Sequence, residues 1–442
     1  MNWLNRRTIC AVAVVAVLLA LVLGTGAGLF DGVPLLNPAA AGAIELLALA
    51  ALVGSWARRD QRWLSRTLPL LWGSALVLTV AAVVTLRVTG TIRDRYPPIF
   101  AAWFALAVAA IAGVPFALSR PGLVRRIAAV SAVPLTLAGG LLVLDQVYAV
   151  WPNVGDLLGH TRALGGGALD RALRAPPPAV REQGLLGVYD MPATISHFQH
   201  RPGYVYLPPA YFTADRPNLP VIVVLAGVPG WTSQWPQAGK AVTTAAGYAA
   251  DHHGVAPVLV FVDQNGGTYR DTECVDGPLG NAETFLTVDI PAFVTATLHI
   301  PHHATTWAVV GFSEGGTCAA DLVLRHPGIF RHLVDLGGES RPTLHGPRST
   351  LLTLFDGSAA AERAHDPVYL LATRRYDQVS AWFAAGADDP RGIVAAHQLA
   401  QAAAAAGATS HEFTGDGGHN WQFAGTAFAQ VLPQLAQDLG IH

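Results

Sequence analysis

Charge is scarce in this chain. Only 13% of its 442 residues are charged, and the formal net charge is −2. With a single lysine, Lys240, and no broad basic stripe, it carries no electrostatic footprint for nucleic acid, and that class of partner is excluded. Cysteine is also rare: Cys10 lies in an apolar N-terminal segment, and Cys274 and Cys318 are the remaining pair. Two cysteines do not make a disulfide scaffold. The pairs His252-His253 and His302-His303 lack the i,i+4 spacing and convergent carboxylates of a helical zinc site, so no metal is expected. There is no nucleotide-binding loop either, and no cofactor is expected.

What is abundant is apolar surface. Hydrophobic residues make up 52% of the chain and the mean hydropathy is +0.37, with the excess concentrated in the first third. Apolar runs occupy Ile9–Phe30, Ala39–Trp56, Leu68–Leu86, Pro98–Leu118 and Ile127–Val150, each close to the ~20 residues that cross a hydrocarbon core. The reading is an all-α transmembrane domain of about five helices over residues 1–150. The first run is either a spanning helix or a cleaved signal peptide. Arg6, Arg7, Arg58, Arg59, Arg62, Arg66, Arg120, Arg125 and Arg126 fall on one side, against Arg87, Arg93 and Arg95 on the other. The richer side is cytoplasmic by the positive-inside rule, so everything after Val150 faces away from the cytoplasm under either reading of the first run. Glu45 and Asp145 lie within spans near their outer ends, where they are expected to reach water or pair with Arg87 or Arg93, a role in lipid access being the alternative.

Residues 151–185 turn polar and glycine-rich and end near Pro176-Pro177-Pro178, which predicts an extracytoplasmic linker with a stiff spacer. From 186 to 442, short β-rich runs at Tyr204–Leu207, Val221–Ala226, Val258–Val262, Trp307–Val310, Leu333–Leu336 and Ala381–Ala385 alternate with helical patterns. Such alternation predicts a mostly parallel sheet with helices on both faces.

One stretch of that domain carries a chemical signature. Gly311-Phe312-Ser313-Glu314-Gly315 falls at a strand-to-helix turn, the setting of a nucleophile elbow. Downstream, Gly386-Ala387-Asp388-Asp389 follows a strand's C-terminal end, and Gly417-Gly418-His419 precedes the last helix. Ser313, Asp389 and His419 thus occur in the α/β-hydrolase order of nucleophile, acid and base, with Asp388 the alternative acid. The oxyanion requires two backbone N–H groups, assigned to Glu314 after the nucleophile and Val228 after an early central strand. An ordinary tight turn is the competing reading of Gly227–Gly230. Cys274 sits in a polar loop and Cys318 on the elbow helix, and in an oxidising compartment a Cys274–Cys318 disulfide is expected, two unpaired thiols being the alternative. Glu273 and Asp276 either face substrate or lie in a solvated loop.

Tyr206–Tyr211, Leu219–Gly230, Glu283-Thr284-Phe285-Leu286 with Asp289-Ile290-Pro291, Gly311–Gly316 and Gly417–Trp421 together resemble the putative-esterase family of α/β hydrolases. That family includes esterase D and the mycolyltransferases of actinobacterial cell envelopes. The resemblance covers about residues 187–440. It implies an eight-stranded hydrolase core, a Ser313/Asp389/His419 triad and an oxyanion hole at Val228 and Glu314. Many relatives have histidine or aspartate where this chain has Ala226.

The expected function is a membrane-anchored, extracytoplasmic serine esterase or acyltransferase acting on a lipid or cell-envelope ester. The alternatives are a non-catalytic hydrolase-fold binding or scaffolding protein, and a membrane transporter whose outer domain regulates it.

Overall fold

A computed structural model describes residues 28–56, 60–88, 97–119, 121–160 and 163–441. Most of the first apolar run, and Cys10 with it, lie outside the described residues. Two compact units are present, Met1–Thr161 and Arg162–His442.

In the first unit four helices occupy the remaining apolar runs: α1 (Pro38–Trp56), α2 (Leu68–Val88), α3 (Pro98–Leu118) and α4 (Leu123–Tyr148). All four are long and apolar enough to cross a membrane. α4 starts and stops earlier than its apolar run suggests, because Gly122 at φ 135° precedes it and Ala149 in the left-handed region closes it. α1 packs along α4, and α3 against both α4 and α2. Small residues permit this close packing: a Cβ on Gly139 would lie 2.5 Å from the Trp103 ring. The outward side chains are apolar, Leu70 being 72% and Val77 66% exposed. Asp145 departs from expectation. It is buried, and its carboxylate accepts the Trp151 backbone N–H at 2.7 Å, satisfying the turn after α4 instead of reaching water.

The second unit is built on an eight-stranded sheet of β1 (Leu185–Tyr189), β2 (Gly203–Leu207), β3 (Val221–Leu225), β4 (Val258–Val262), β5 (Trp307–Phe312), β6 (His332–Leu336), β7 (Ser380–Gly386) and β8 (Thr409–Gly415). Their spatial order is β1-β2-β4-β3-β5-β6-β7-β8, with β2 alone running against the rest. This is the α/β-hydrolase arrangement. Val221, Val223 and Leu225 join one large apolar cluster, while the alternate residues Ile222 and Val224 are equally buried on the opposite face. A strand covered on both sides must be apolar throughout, and β3, β4 and β5 are. Level registers bring the C-terminal ends of the central parallel strands together, Leu225 opposite Gly311 and Phe312 opposite Leu336. Loops leaving that edge converge above the sheet.

The proline triplet is not a free spacer throughout, since Pro178 opens a short helix, Pro178–Gln183, as its first residue. Two residues of the family-like segments act as anchors. Glu283 accepts from Arg325 Nε at 2.9 Å and from His326 at 2.5 Å, tying the end of the elbow helix, Glu314–Arg325, to the preceding layer. Burial alone would raise the Glu283 carboxyl, but the His326 hydrogen bond and the Arg325 charge bring it down to about 2. Asp289 accepts the backbone N–H groups of Ile195 and Ser196 at 2.9 and 3.0 Å.

Candidate active site

Ser313 sits at the turn from β5 into the elbow helix with φ 60° and ψ −124°, a conformation a side chain adopts only when its surroundings enforce it. They do so here through hydrogen bonds and close packing. The Ser313 N–H donates to Leu336 O at 3.0 Å, and its own carbonyl receives Gly316 N–H at 2.9 Å. A Cβ on Gly311 would collide with the Gly315 carbonyl, and one on Gly315 would lie 2.5 Å from the Leu225 carbonyl oxygen, so the turn closes only with hydrogen at both positions.

His419 reaches this hydroxyl from the loop after β8. Its Nε2 lies 2.8 Å from Ser313 Oγ, and its Nδ1 lies 3.0 Å from Asp389 Oδ2. Asp389 caps the helix Pro390–Ala405 and accepts the Gly392 N–H at 3.0 Å. Burial pushes its carboxyl up, but the hydrogen bonds from His419 and Gly392 outweigh this and hold it below the usual aspartate value. An ionised carboxylate can only accept, so Nδ1 carries the imidazole proton and Nε2 accepts from the Ser313 hydroxyl. Asp388 lies elsewhere: its side chain is exposed, and its backbone N–H donates to Gly417 O at 2.9 Å, fastening the histidine loop. The imidazole also packs against Phe312, with ring centroids 4.9 Å apart. Asn420, capping the helix Trp421–Asp438 through Phe423 N–H at 2.9 Å, fixes the loop's far end.

Of the two expected oxyanion donors, Glu314 is the first residue of the elbow helix, whose N-terminal dipole favours negative charge. Val228 follows Gly227, which is packed so closely on Ser313 that a Cβ there would lie 2.7 Å from Ser313 Cβ. Its loop is held on its outer side. Gly230 N–H donates to Thr268 O at 2.9 Å, and Arg201 Nη2 donates to Gly230 O at 3.1 Å. Arg201 is itself paired with Asp263 through Nε at 2.8 Å and Nη2 at 2.7 Å. Burial would raise Asp263, but the Arg201 hydrogen bonds and charge hold it below its ordinary value.

Cys274 and Cys318 form a disulfide, with Cα atoms 5.5 Å apart, that joins the loop after β4 to the elbow helix. Glu273 beside it is not solvated. It is buried and accepts the Thr343 N–H at 2.9 Å, whereas Asp276 is exposed and caps Thr284 N–H at 3.0 Å. Carboxylate oxygens of Asp271, Glu273 and Glu314 lie within 4.8 Å of one another. Burial first, and then the charge of Asp271, push Glu273 and Glu314 well above the glutamate range. Of the histidine pairs, His252 stacks on Tyr248 with centroids 3.8 Å apart, and His302 donates to Ile329 O at 3.0 Å.

Four further residues of the site escape sequence reasoning: Arg201, Gln264, Asn265 and Asp335. Gln264 Nε2 donates to Ala226 O at 2.6 Å and to Glu314 Oε2 at 2.9 Å, and Asn265 Nδ2 donates to the same oxygen at 3.1 Å. Asp335, at the end of β6, accepts Gly338 N–H at 2.7 Å and lies directly under Gly316. Burial raises its carboxyl to about 7, with the Gly338 N–H and the nearby His419 only partly opposing this. For Gln264 and Asn265 a polar residue just past the end of an apolar strand was the available signal, but it marks many solvated loop positions too.

Comparison with known proteins identifies the family of the chain. An uncharacterized protein of Corynebacterium glutamicum is 29% identical over 405 residues, spanning 88% of this chain and 93% of that protein. Among solved structures, a ferulic acid esterase aligns with a TM-score of 0.47 at 19% identity, covering 54% of this chain and 92% of that one. An S-formylglutathione hydrolase from Agrobacterium tumefaciens aligns with a TM-score of 0.47 at 18% identity, covering 59% and 97%. The profile of the family described as "Putative esterase" matches residues 198–436, more than half of the chain, and the chain belongs to that family.

Proposed function

We propose that this protein is a membrane-anchored serine esterase or acyltransferase whose site faces away from the cytoplasm and acts on ester-linked lipid or cell-envelope substrates. The observation that carries the reading is the hydrogen-bonded chain from Ser313 Oγ through His419 to Asp389, with both bonds at 3.0 Å or less. His419 Nε2 takes the serine proton as Oγ bonds to the ester carbonyl carbon. The carbonyl oxygen becomes an oxyanion facing the Val228 and Glu314 amides. Collapse breaks the bond to the leaving alcohol, which departs with the proton from His419 and leaves an acyl-serine. Water, or a sugar or lipid hydroxyl, then surrenders a proton to His419 and takes the acyl group, giving hydrolysis or transfer.

Membrane anchoring is supported by the four apolar helices with outward-facing leucines and valines. The outward orientation is supported by the arginine bias of the cytoplasmic loops and by the Cys274–Cys318 disulfide, which suits an oxidising compartment. More spans than tethering requires favour a substrate that itself resides in the membrane.

The test is fluorophosphonate labelling of the full-length protein in membranes, comparing wild type with Ser313→Ala and His419→Ala. Labelling of wild type lost in both variants supports the acyl-serine chemistry. A folded wild type that takes no label overturns it in favour of a non-catalytic binding protein. Protease accessibility of the second unit in intact cells against inverted vesicles tests the orientation.

A further inference from the structure

The oxyanion donors come from two separate segments. One leaves β3 at Leu225 and passes through Ala226 and Gly227 to Val228; the other is the first turn of the elbow helix at Glu314. Ala226 follows Leu225, the last residue of β3. The two segments nonetheless touch, with Gly315 against the carbonyls of Leu225 and Ala226. Between them sits the carboxamide of Gln264, a residue only 2% exposed.

We propose that Gln264 is a positioning residue that sets the separation of the two oxyanion donors by bonding both segments through one nitrogen. This rests on the serine-hydrolase reading above. A primary amide nitrogen has two hydrogens, and here each has an acceptor: Ala226 O at 2.6 Å and Glu314 Oε2 at 2.9 Å. Ala226 stands two residues before Val228, and Glu314 is itself the residue whose backbone N–H is the second donor. Surrounding bonds stiffen the same clamp. Asn265 Nδ2 adds 3.1 Å to the same Glu314 oxygen, and Trp235 Nε1 donates to Leu225 O at 2.7 Å.

The chemistry at position 264 is restrictive. A carboxylate there would present lone pairs to the Ala226 carbonyl in place of a donor and set a second acid beside the buried Glu314 carboxyl. A hydrocarbon would leave the Ala226 carbonyl without the Gln264 donor and Glu314 Oε2 with only that of Asn265. Either change lets the two segments relax apart, and an oxyanion hole stabilises the transition state only where its donors are already in place. Ground-state binding of an ester makes little use of that geometry, so the effect falls on kcat and not on KM.

The experiment uses full-length protein in detergent with a p-nitrophenyl ester, and active sites counted by fluorophosphonate titration. Gln264→Met, close to isosteric, is expected to lower kcat per titrated site by about 10–100-fold with KM within about threefold. Affinity for a trifluoromethyl ketone, whose hemiketal carries the oxyanion, should fall by the same factor. Gln264→Glu should behave likewise and covers the case in which the methionine variant does not fold. Undiminished kcat per site, or a loss confined to the number of titratable sites, would overturn the clamp while leaving the esterase reading intact. A wild type without Ser313-dependent labelling overturns both.

Discussion

His419 Nδ1 and Asp389 Oδ2 are 3.0 Å apart, although Asp389 and Asp388 are adjacent and follow the same strand. The difference is one of local geometry: Asp389 turns inward as the cap of the helix it precedes, and Asp388 remains outside. Asp389→Asn should therefore lower kcat by about 10⁴-fold, because an amide in place of the carboxylate favours the wrong imidazole tautomer. Asp388→Asn should change kcat by no more than a few fold. Steady-state ester hydrolysis by both variants decides it, and equal losses would reject Asp389 as the acid.

Asp335 makes stability depend on pH in a defined direction. Its carboxyl titrates at about 7 in the folded protein, raised by burial, against about 3.9 for an unfolded aspartate. Between those values the folded state binds more protons than the unfolded one, so stability falls as pH rises through this window and levels off above it. At pH 8 the cost is on the order of 4 kcal/mol. Asp335→Asn, which retains an oxygen for Gly338 N–H, should gain in melting temperature over wild type as pH rises from 4 to 8. Thermal unfolding at both ends of that range checks this, and a pH-independent difference would refute it.

The Cys274–Cys318 bond closes a loop with a sequence separation of 44. Chain-entropy reasoning assigns such a closure about 4 kcal/mol of stabilisation. The Cys274→Ala/Cys318→Ala variant should melt well below wild type in non-reducing buffer, and dithiothreitol should lower wild type toward it. Coincident melting curves would show that the bond adds nothing.

Gly227 is required for space. Its missing side chain leaves room for Ser313, whose Cβ would lie 2.7 Å from an added methyl. Gly227→Ala is expected to displace the nucleophile or the oxyanion loop and to lower kcat/KM by about 10²-fold. Near-normal kinetics would mean that the loop accommodates the methyl without loss of alignment.

How far the sequence discloses this fold depends on burial. β3, β4 and β5 are legible because a strand covered on both faces must be apolar along its whole length. β8 is not, since it is the sheet's edge strand, with exposed Thr409 and Glu412 and half-buried His411 in place of an apolar run. β1, the other edge, alternates buried and half-buried residues and follows a short helix that begins in the proline triplet. The helices Pro347–Phe355, Ala359–Ala364 and Pro367–Thr373 are too short for periodicity to declare them.

By itself the sequence determined the kind of molecule: an apolar helical first third, an alternating α/β remainder, and a serine, an acid and a histidine in hydrolase order. Those are local properties, set by hydropathy, strand and helix periodicity, and glycine-flanked turns. Tertiary structure alone decided which of two neighbouring aspartates meets His419, that Glu273 is buried, and that Gln264 joins Ala226 to Glu314. Each of those outcomes depends on distances between segments far apart in the chain, created when the parallel strands align their C-terminal ends, and no spacing along the sequence encodes them.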